Sequence, residues 1–350
     1  MLLRKNKIIM PQIKTTEKFG VSVVIPCYKR IKQTIKTLNL IFNSKGWGES
    51  YQGEVIVADS TRDDSLKKAL FEKFNDKFLK REFFYIKPKK IGISVNKNAG
   101  ARKAKFPILI FCDSDIEVEE DTILKSIKAL KKHKLVAALT GNVIWKGGEK
   151  DGQLDRPRKE DRMIKYKGTW FVENIFSRYE ATYKKVFSEV GGYDEEVFNM
   201  RGEGSDLSIR YWRAGYPLAY DSSINVHHIA DAPYSIALRV KHPEWGIAKD
   251  LLLLAYKYDL LEEEEGNFSR TMGLNFSKFG KIGYFRVLQG IGNYLDYIIL
   301  SKKKIDKQKK KLKSRYGFRF FEIFDRKVLF KKCLKEAEKR LEKIRKNIFG

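Results

Sequence analysis

Pro107-Ile-Leu-Ile-Phe-Cys-Asp-Ser-Asp115 is an apolar run that ends in two carboxylates one residue apart. A short continuous apolar stretch of this kind marks a strand buried on both faces. Two negative charges at its end are costly if unpaired. A divalent cation, Mn2+ or Mg2+, relieves that cost, because both ions take carboxylate oxygens and bridge to phosphates. The competing use is helix capping, with the aspartates starting a turn at Ile116-Glu-Val118.

Working outward, the same grammar repeats. Val21-Ser-Val-Val-Ile-Pro26, Glu54-Val-Ile-Val-Ala58 and Phe83-Phe-Tyr-Ile86 read as earlier strands. Ile31, Ile35, Leu38 and Ile41 carry helical spacing, as does the stretch from Leu66 to Phe74, and residues 92–101 start as loop and end as helix. This β-α-β-α alternation predicts an α/β fold, a Rossmann-like and mostly parallel sheet with helices on both faces. Ligands in such sheets bind beyond the carboxyl ends of the strands. Asp59 and the Asp113/Asp115 pair both fall there. Further on, 135–140 and 142–145 read as strands, 146–167 as a charged mobile loop, Gly191-Gly192-Tyr193-Asp194 as a turn, and 205–214 as a helix stopped by Gly215. Beyond Tyr234 the pattern is mainly helical.

Three constellations outside the aspartate pair carry chemistry. Asp59 can accept from a nucleobase N–H or a ribose hydroxyl, or close an Asx-turn over Ser60 and Thr61. Lys97, before Asn98 and Gly100, can meet a phosphate or a base carbonyl, and Gly100 permits close helix packing. Glu203 and Asp206 stand three apart near a helix start, and Asp206 and Arg210 four apart. Either carboxylate can serve as a general base or favour the helix dipole. His227-His228 follows an expected strand, where a histidine can complete a metal site.

The balance of 71 Lys+Arg against 44 Asp+Glu gives +27, and 43% of residues are hydrophobic, enough for a sizeable core. Residues 301–350 hold 20 Lys+Arg and 6 Asp+Glu, over half of the net charge. That placement argues against nucleic acid as partner, because the sheet end gathers carboxylates that repel phosphate. Phe330, Leu334, Ala337, Leu341, Ile344 and Ile348 recur at steps of three and four, predicting an amphipathic helix that lies on an anionic membrane or packs on the domain. Cys27, Cys112 and Cys333 show no paired spacing, which fits a reducing compartment. Tyr284–Leu300 is interrupted by Arg286 and Asp296, so no bilayer-spanning run is expected. The reading is of a cytoplasmic protein able to sit peripherally on the inner membrane face.

The ordered set VSVVIPCYKR (21–30), EVIVADSTRDDS (54–65), NKNAG (96–100), FCDSD (111–115), GGYDE (191–195) and GEGSDLSIR (202–210) resembles the inverting glycosyltransferases of family 2, which have the GT-A fold. The resemblance covers about residues 21–230. It implies a nucleoside-diphosphate sugar donor, most simply a UDP-sugar, and a glycan or lipid-linked glycan acceptor. It implies that Pro26, Tyr28, Asp59, Lys97 and Asp113 bind the nucleotide sugar. Asp113 and Asp115 match the DxD motif that holds ribose and the metal–diphosphate. His228, or its neighbour His227, matches an occasional third metal ligand, and 181–187 matches a segment that closes over the donor. The family usually reads Glu-Asp where this chain has Glu203-Gly204, so the base falls to Glu203, which we prefer, or to Asp206. The expected division is a basic tail over 1–20, a GT-A domain over 21–235 (nucleotide-sugar half 21–115, acceptor half 116–235) and a helical basic extension over 236–350.

Overall fold

The computed structural model describes residues 19–156, 163–175, 178–229, 243–258, 295–316 and 326–350. Its centre is β1 (Gly20–Cys27), buried at every residue. β1 pairs in parallel with β2 (Gln52–Asp59) on one side and β4 (Ile108–Cys112) on the other, and β2 pairs in parallel with β3 (Phe83–Ile86). Three helices make the crossovers: α1 (Ile31–Phe42), α2 (Ser65–Leu79) and α3 (Ile93–Lys103). α3 lies close on β1 because Gly100 has no side chain. A Cβ there would meet Val24 Cγ1 at 2.2 Å.

The parallel run stops at β4. After it come β5 (Ile116–Val118), α4 (Thr122–Lys132), β6 (Ala138–Lys146), β7 (Leu154–Asp155), β8 (Met163–Tyr166), β9 (Thr169–Val172) and β10 (Tyr179–Tyr183). They are followed by α5 (Lys184–Glu189), α6 (Glu203–Arg213) and β11 (Leu218–Ile229). The sheet order is β3-β2-β1-β4-β10-β6-β11-β9-β8, with β5 on β11 and β7 on β6. β10 inserts antiparallel between β4 and β6. The sheet is therefore mixed, parallel in its first half and largely antiparallel beyond, with helices on both sides. Because β10 is a buried central strand, residues 181–183 with Val186 and Phe187 belong to the core, the Phe187 ring lying against Phe111 and Tyr193, while Lys184 and Lys185 face outward. Segment 146–167 is likewise not one loop. β7 folds back on β6, and β8 pairs with β9, while 157–162 lie outside the described residues.

β11 and β5 position the site. β11 is long enough to pair with β6 and β9 and, past an irregularity between Tyr220 and Asn225, with β5. In that register His228 stands opposite Ile116, next to the aspartate pair.

Among the described residues three helices follow the sheet domain: α7 (Pro243–Tyr258), α8 (Leu295–Tyr316) and α9 (Arg326–Phe349). Residues 1–18 of the expected basic tail, and 230–242, 259–294 and 317–325, lie outside the described residues. α7 and α8 join a small cluster with Val197 and Phe198, built on Leu253, Leu254, Tyr258 and Ile305. α9 settles the choice left open for the amphipathic stripe. Ala337, Leu341 and Ile344 are part of the main core, with Leu334, Ile348 and Phe349 packed at its edge. Arg340 also donates to the Ala214 carbonyl at 3.0 Å. In this arrangement the stripe packs on the domain, and Phe330 itself falls among side chains outside the described set. We expect Leu341→Ala to lower stability by about 2–5 kcal/mol, the cost of a large-to-small change in a packed core. An unchanged urea midpoint would mean that α9 does not dock in solution. No helix among the described residues is long and apolar enough to cross a membrane.

Candidate functional site

β4 delivers the aspartates into a tight turn. The Asp113 N–H donates to the Arg178 carbonyl at 2.9 Å, and the Ile116 N–H returns to the Asp113 carbonyl at 3.1 Å. The chain then enters a strand, not a helix, so the aspartates do not cap one. Asp115 is nearly buried. Its Oδ2 takes Arg30 Nη1 at 2.5 Å and lies 3.5 Å from His228 Nε2. Burial pushes its carboxyl up, but His228 and Arg30 outweigh that and hold it below the usual range. Asp113 is pushed the other way. Burial raises it, Lys97 opposes, and the charges of Asp115 and Glu203 add to the rise. Adjacent carboxylates with pKa values driven apart are a recurrent feature of working sites. Asp115 is the one set firmly in the ionised form.

Lys97 is fully buried, its ammonium 3.4 Å from Asp113 Oδ1 and 5.2 Å from the centre of the Tyr193 ring. It supports the aspartate from beneath and has no open face toward a phosphate. A helix packed so closely on β1 turns this side chain inward, toward Asp113.

Asp59, also fully buried, accepts from the Thr61 N–H at 2.7 Å and hydroxyl at 2.6 Å, and from Tyr85 Oη at 2.8 Å. The Asx-turn is thus formed, and it shapes the loop beside Tyr28. The Lys29 N–H donates to Thr61 Oγ1 at 2.8 Å, tying the loop after β1 to the loop after β2. Pro26 and Cys27 sit in register with Ala58 and Asp59. Tyr28, the residue after β1, is half-buried.

Glu203 is the first residue of α6, entered from Gly202 at φ +75°. It is buried, and its charge contributes to raising both Asp113 and Glu180. Asp206 faces elsewhere. Its Oδ2 receives Arg210 Nη2 at 2.6 Å, and its Oδ1 receives Lys257 Nζ at 2.6 Å and Tyr258 Oη at 2.7 Å. Burial would raise its carboxyl, yet Arg210 and Lys257 bring it down to about 2. A carboxylate so saturated is a poor proton acceptor. It staples α6 to α7 instead, which argues against Asp206 as base.

The two histidines separate as strand alternation requires. His227 Nε2 turns to Glu119 at 3.4 Å, and His228 turns to Asp115. The His228 ring stands edge-on to Trp145, with centroids 4.5 Å apart, and its Nδ1 is buried without a hydrogen-bond partner.

Several contributors escaped sequence reading. Arg30 lies within PCYKR, and a basic residue just past a central strand end was the available signal. Glu180 gave none. It sits on β10, fully buried, accepting from Tyr193 Oη at 2.7 Å and Tyr211 Oη at 3.2 Å, and burial lifts it to about 7. Arg178, at the start of β10, pairs with Asp155 at 3.0 Å.

Among the described residues no group of three His, Cys, Asp or Glu forms a metal cage. The donor pair Asp115/His228, beside a buried Asp113 Oδ1 that makes no hydrogen bond and faces only the Lys97 ammonium, still suits Mn2+ or Mg2+. Mg2+-type sites commonly use one or two protein carboxylates and leave the remaining positions to phosphate oxygens and water.

Residues 22–191 match the profile of Glycosyl transferase family 2. The chain is 23% identical over 235 residues to a probable N-acetylgalactosaminyltransferase 9 of Caenorhabditis elegans, covering 59% of this chain and 39% of that protein. It is 37% identical over 108 residues to the uncharacterized glycosyltransferase YfnE of Bacillus subtilis (strain 168), covering 31% of this chain and 26% of that one. The chain thus spans well under half the length of either curated relative. In three dimensions it resembles GalNAc-T7, solved with UDP, GalNAc and Mn2+, with a TM-score of 0.56 and 17% identity over 82% of this chain and 58% of the other. It also resembles the mannosyltransferase PcManGT of Pyrobaculum calidifontis, solved with GDP-Man and Mn2+, with a TM-score of 0.53 and 11% identity over 92% of this chain and 88% of the other. The strand order, the aspartate turn after β4 and the profile match agree: residues 22–191 form a glycosyl transferase family 2 domain, and the chain has the GT-A fold.

Proposed function

We propose that the protein transfers a sugar from a nucleoside-diphosphate sugar, a UDP-sugar in the first instance, to a hydroxyl of a glycan or lipid-linked glycan, with inversion at the anomeric carbon. The observation that carries this is the Asp113/Asp115 pair at the carboxyl end of β4, with His228 of β11 3.5 Å from Asp115 and Glu203 close enough to act on Asp113 electrostatically. That both structural neighbours were solved with a nucleotide or nucleotide sugar and Mn2+ supports the donor class and a divalent ion.

In this reading Tyr28 and Asp59 border the nucleoside, and Asp113 meets the ribose from a position fixed by Lys97. Asp115 and His228 would hold Mn2+ or Mg2+, which when bound supplies positive charge to the departing diphosphate. Glu203 accepts the proton of the acceptor hydroxyl as that oxygen attacks the anomeric carbon from the face opposite the diphosphate. A single displacement inverts the centre. The protein-side requirement is an ionised Asp115, which its surroundings secure. The many exposed lysines of α8 and α9 support electrostatic attraction to an anionic surface as an accessory property.

The test is release of nucleoside diphosphate from a panel of UDP- and GDP-sugars, with Mn2+, with Mg2+ and with EDTA. We expect release from a UDP-sugar that depends on the metal. Release from GDP-sugars alone would replace the donor. Release undiminished in EDTA would remove the metal from the reading.

A further inference from the structure

α7 begins at Pro243, past the residues that match the family profile, and it carries a buried carboxylate, Asp250. That side chain is 5% exposed, and both of its oxygens are enclosed. Taking a carboxylate out of water costs free energy. Neither the metal pair nor the staple beneath α6 uses it.

Asp250 is set against the entry to α6. Gly202, the residue before Glu203, takes φ +75°, and a Cβ there would stand 3.4 Å from both Cβ and Cγ of Asp250. Arg201 closes the same contact, its Nε 3.3 Å from Asp250 Oδ2. Lys249, the neighbour on α7, brings Nζ to 2.9 Å from Oδ1 and lies over the Tyr297 ring of α8. The acid therefore grips Arg201 and Gly202, the two residues that present Glu203. α7 has another anchor on α6 that does not involve Asp250: Lys257 and Tyr258 bond Asp206 one turn further on.

The two acids also act on each other. Burial pushes the Asp250 carboxyl above its ordinary value, Lys249 and then Arg201 oppose the rise, and the charge of Glu203 adds to it. Such coupling is mutual, and two neighbouring carboxylates hold one proton more readily than either holds it alone. Glu203 is thus coupled to Asp113 on the donor side, to Glu180 on β10 and to Asp250 on α7.

We propose that Asp250 is a positioning residue for the transfer step. It fixes the loop that presents Glu203 and sets a second negative charge beside it, which favours capture of the acceptor proton. The proton passes from the acceptor hydroxyl to a Glu203 oxygen, and Asp250 exchanges no atom. This rests on the reading of Glu203 as base. It brings the helical extension into the reaction, because α7 supplies a group that acts on the base.

The experiment follows nucleoside-diphosphate release from the nucleotide sugar that the donor panel selects. It compares the full chain with Asp250→Asn, Glu203→Gln and the double variant. We expect Asp250→Asn to lower kcat about tenfold with UDP affinity unchanged. The acid limb of its kcat–pH profile should move to lower pH, because a proton on Glu203 then has one negative neighbour fewer. The double variant should be no slower than Glu203→Gln alone, since Asp250 has nothing to act on once the base is gone. Tyr258→Phe removes a bond between α7 and Asp206 and is the structural control, with a lower melting temperature and the limb in place. Asp250→Asn with the parent's kcat and limb would overturn the proposal. So would losses that multiply in the double variant, or a kcat that falls only in step with the melting temperature. Glu203→Gln with the parent's kcat would instead remove the base assignment, and this proposal with it.

Discussion

Asp115→Asn is expected to abolish turnover and to remove the Mn2+ enhancement of UDP binding, in a protein that still folds. Asparagine keeps the size of the side chain and an oxygen that can accept from Arg30, so the turn between β4 and β5 survives. What is lost is the one negative charge that the surroundings hold firmly ionised, with His228 and Arg30 opposing the cost of burial. A bound divalent ion contributes several kcal/mol of charge stabilisation in the transition state, and each 1.36 kcal/mol is tenfold in rate. Losing most of it therefore costs about 10³-fold or more. Calorimetry of UDP with and without Mn2+ gives a readout independent of turnover, and circular dichroism checks the fold. Equal UDP affinity in the two conditions for the unsubstituted protein would defeat the metal assignment. A Mn2+ enhancement that survives in Asp115→Asn would move it to other ligands.

What the sequence disclosed followed from local patterning. β1, β4 and most of β2 are buried on both faces, so their apolar runs announced them, and β3, an edge strand buried at Phe83, carries a similar apolar run; the parallel half of the sheet could be read directly. The aspartates were legible because a carboxylate pair ending such a run has few bland uses. The antiparallel half was less open to reading. Its order depends on β10 threading between β4 and β6, a choice set by long-range packing that no local period encodes. Lys97 was legible as a positive charge but its burial was not, because the close approach of α3 that buries it comes from Gly100 meeting Val24. Glu180 was invisible for a related reason. A single acid on a central strand reads as a break in the pattern until Tyr193 and Tyr211 are seen to bond it. The stripe on α9 was read correctly as apolar and helical. Periodicity alone could not say whether lipid or protein covers it, and Ala337, Leu341 and Ile344 show that protein does.

Glu203→Gln and Asp206→Asn should part company, and their contrast tests the base assignment. Glu203 opens α6 next to the position where family 2 usually places its base, and its charge reaches Asp113. Neutralising it should lower kcat by about 10² to 10⁴, the usual contribution of a general base, with UDP affinity little changed. Asp206 carries a different burden. Arg210 and Lys257 are buried against it, and breaking such a network from one side costs about 3–5 kcal/mol because the partner charges stay uncompensated. Asp206→Asn should therefore act mainly on stability. The pH dependence has a definite sign. The folded carboxyl lies near 2, below its ordinary value of 3.8, so its stabilisation is complete well above pH 4 and disappears as pH falls toward 2. The parent should lose stability across that window, and Asp206→Asn should lose less. Urea titrations at pH 3 and pH 7, beside steady-state kinetics on both variants, separate the two roles. If Asp206→Asn were well folded and inactive while Glu203→Gln kept its kcat, the assignments would have to be exchanged, and the ion network beneath α6 would be part of the proton path rather than a staple.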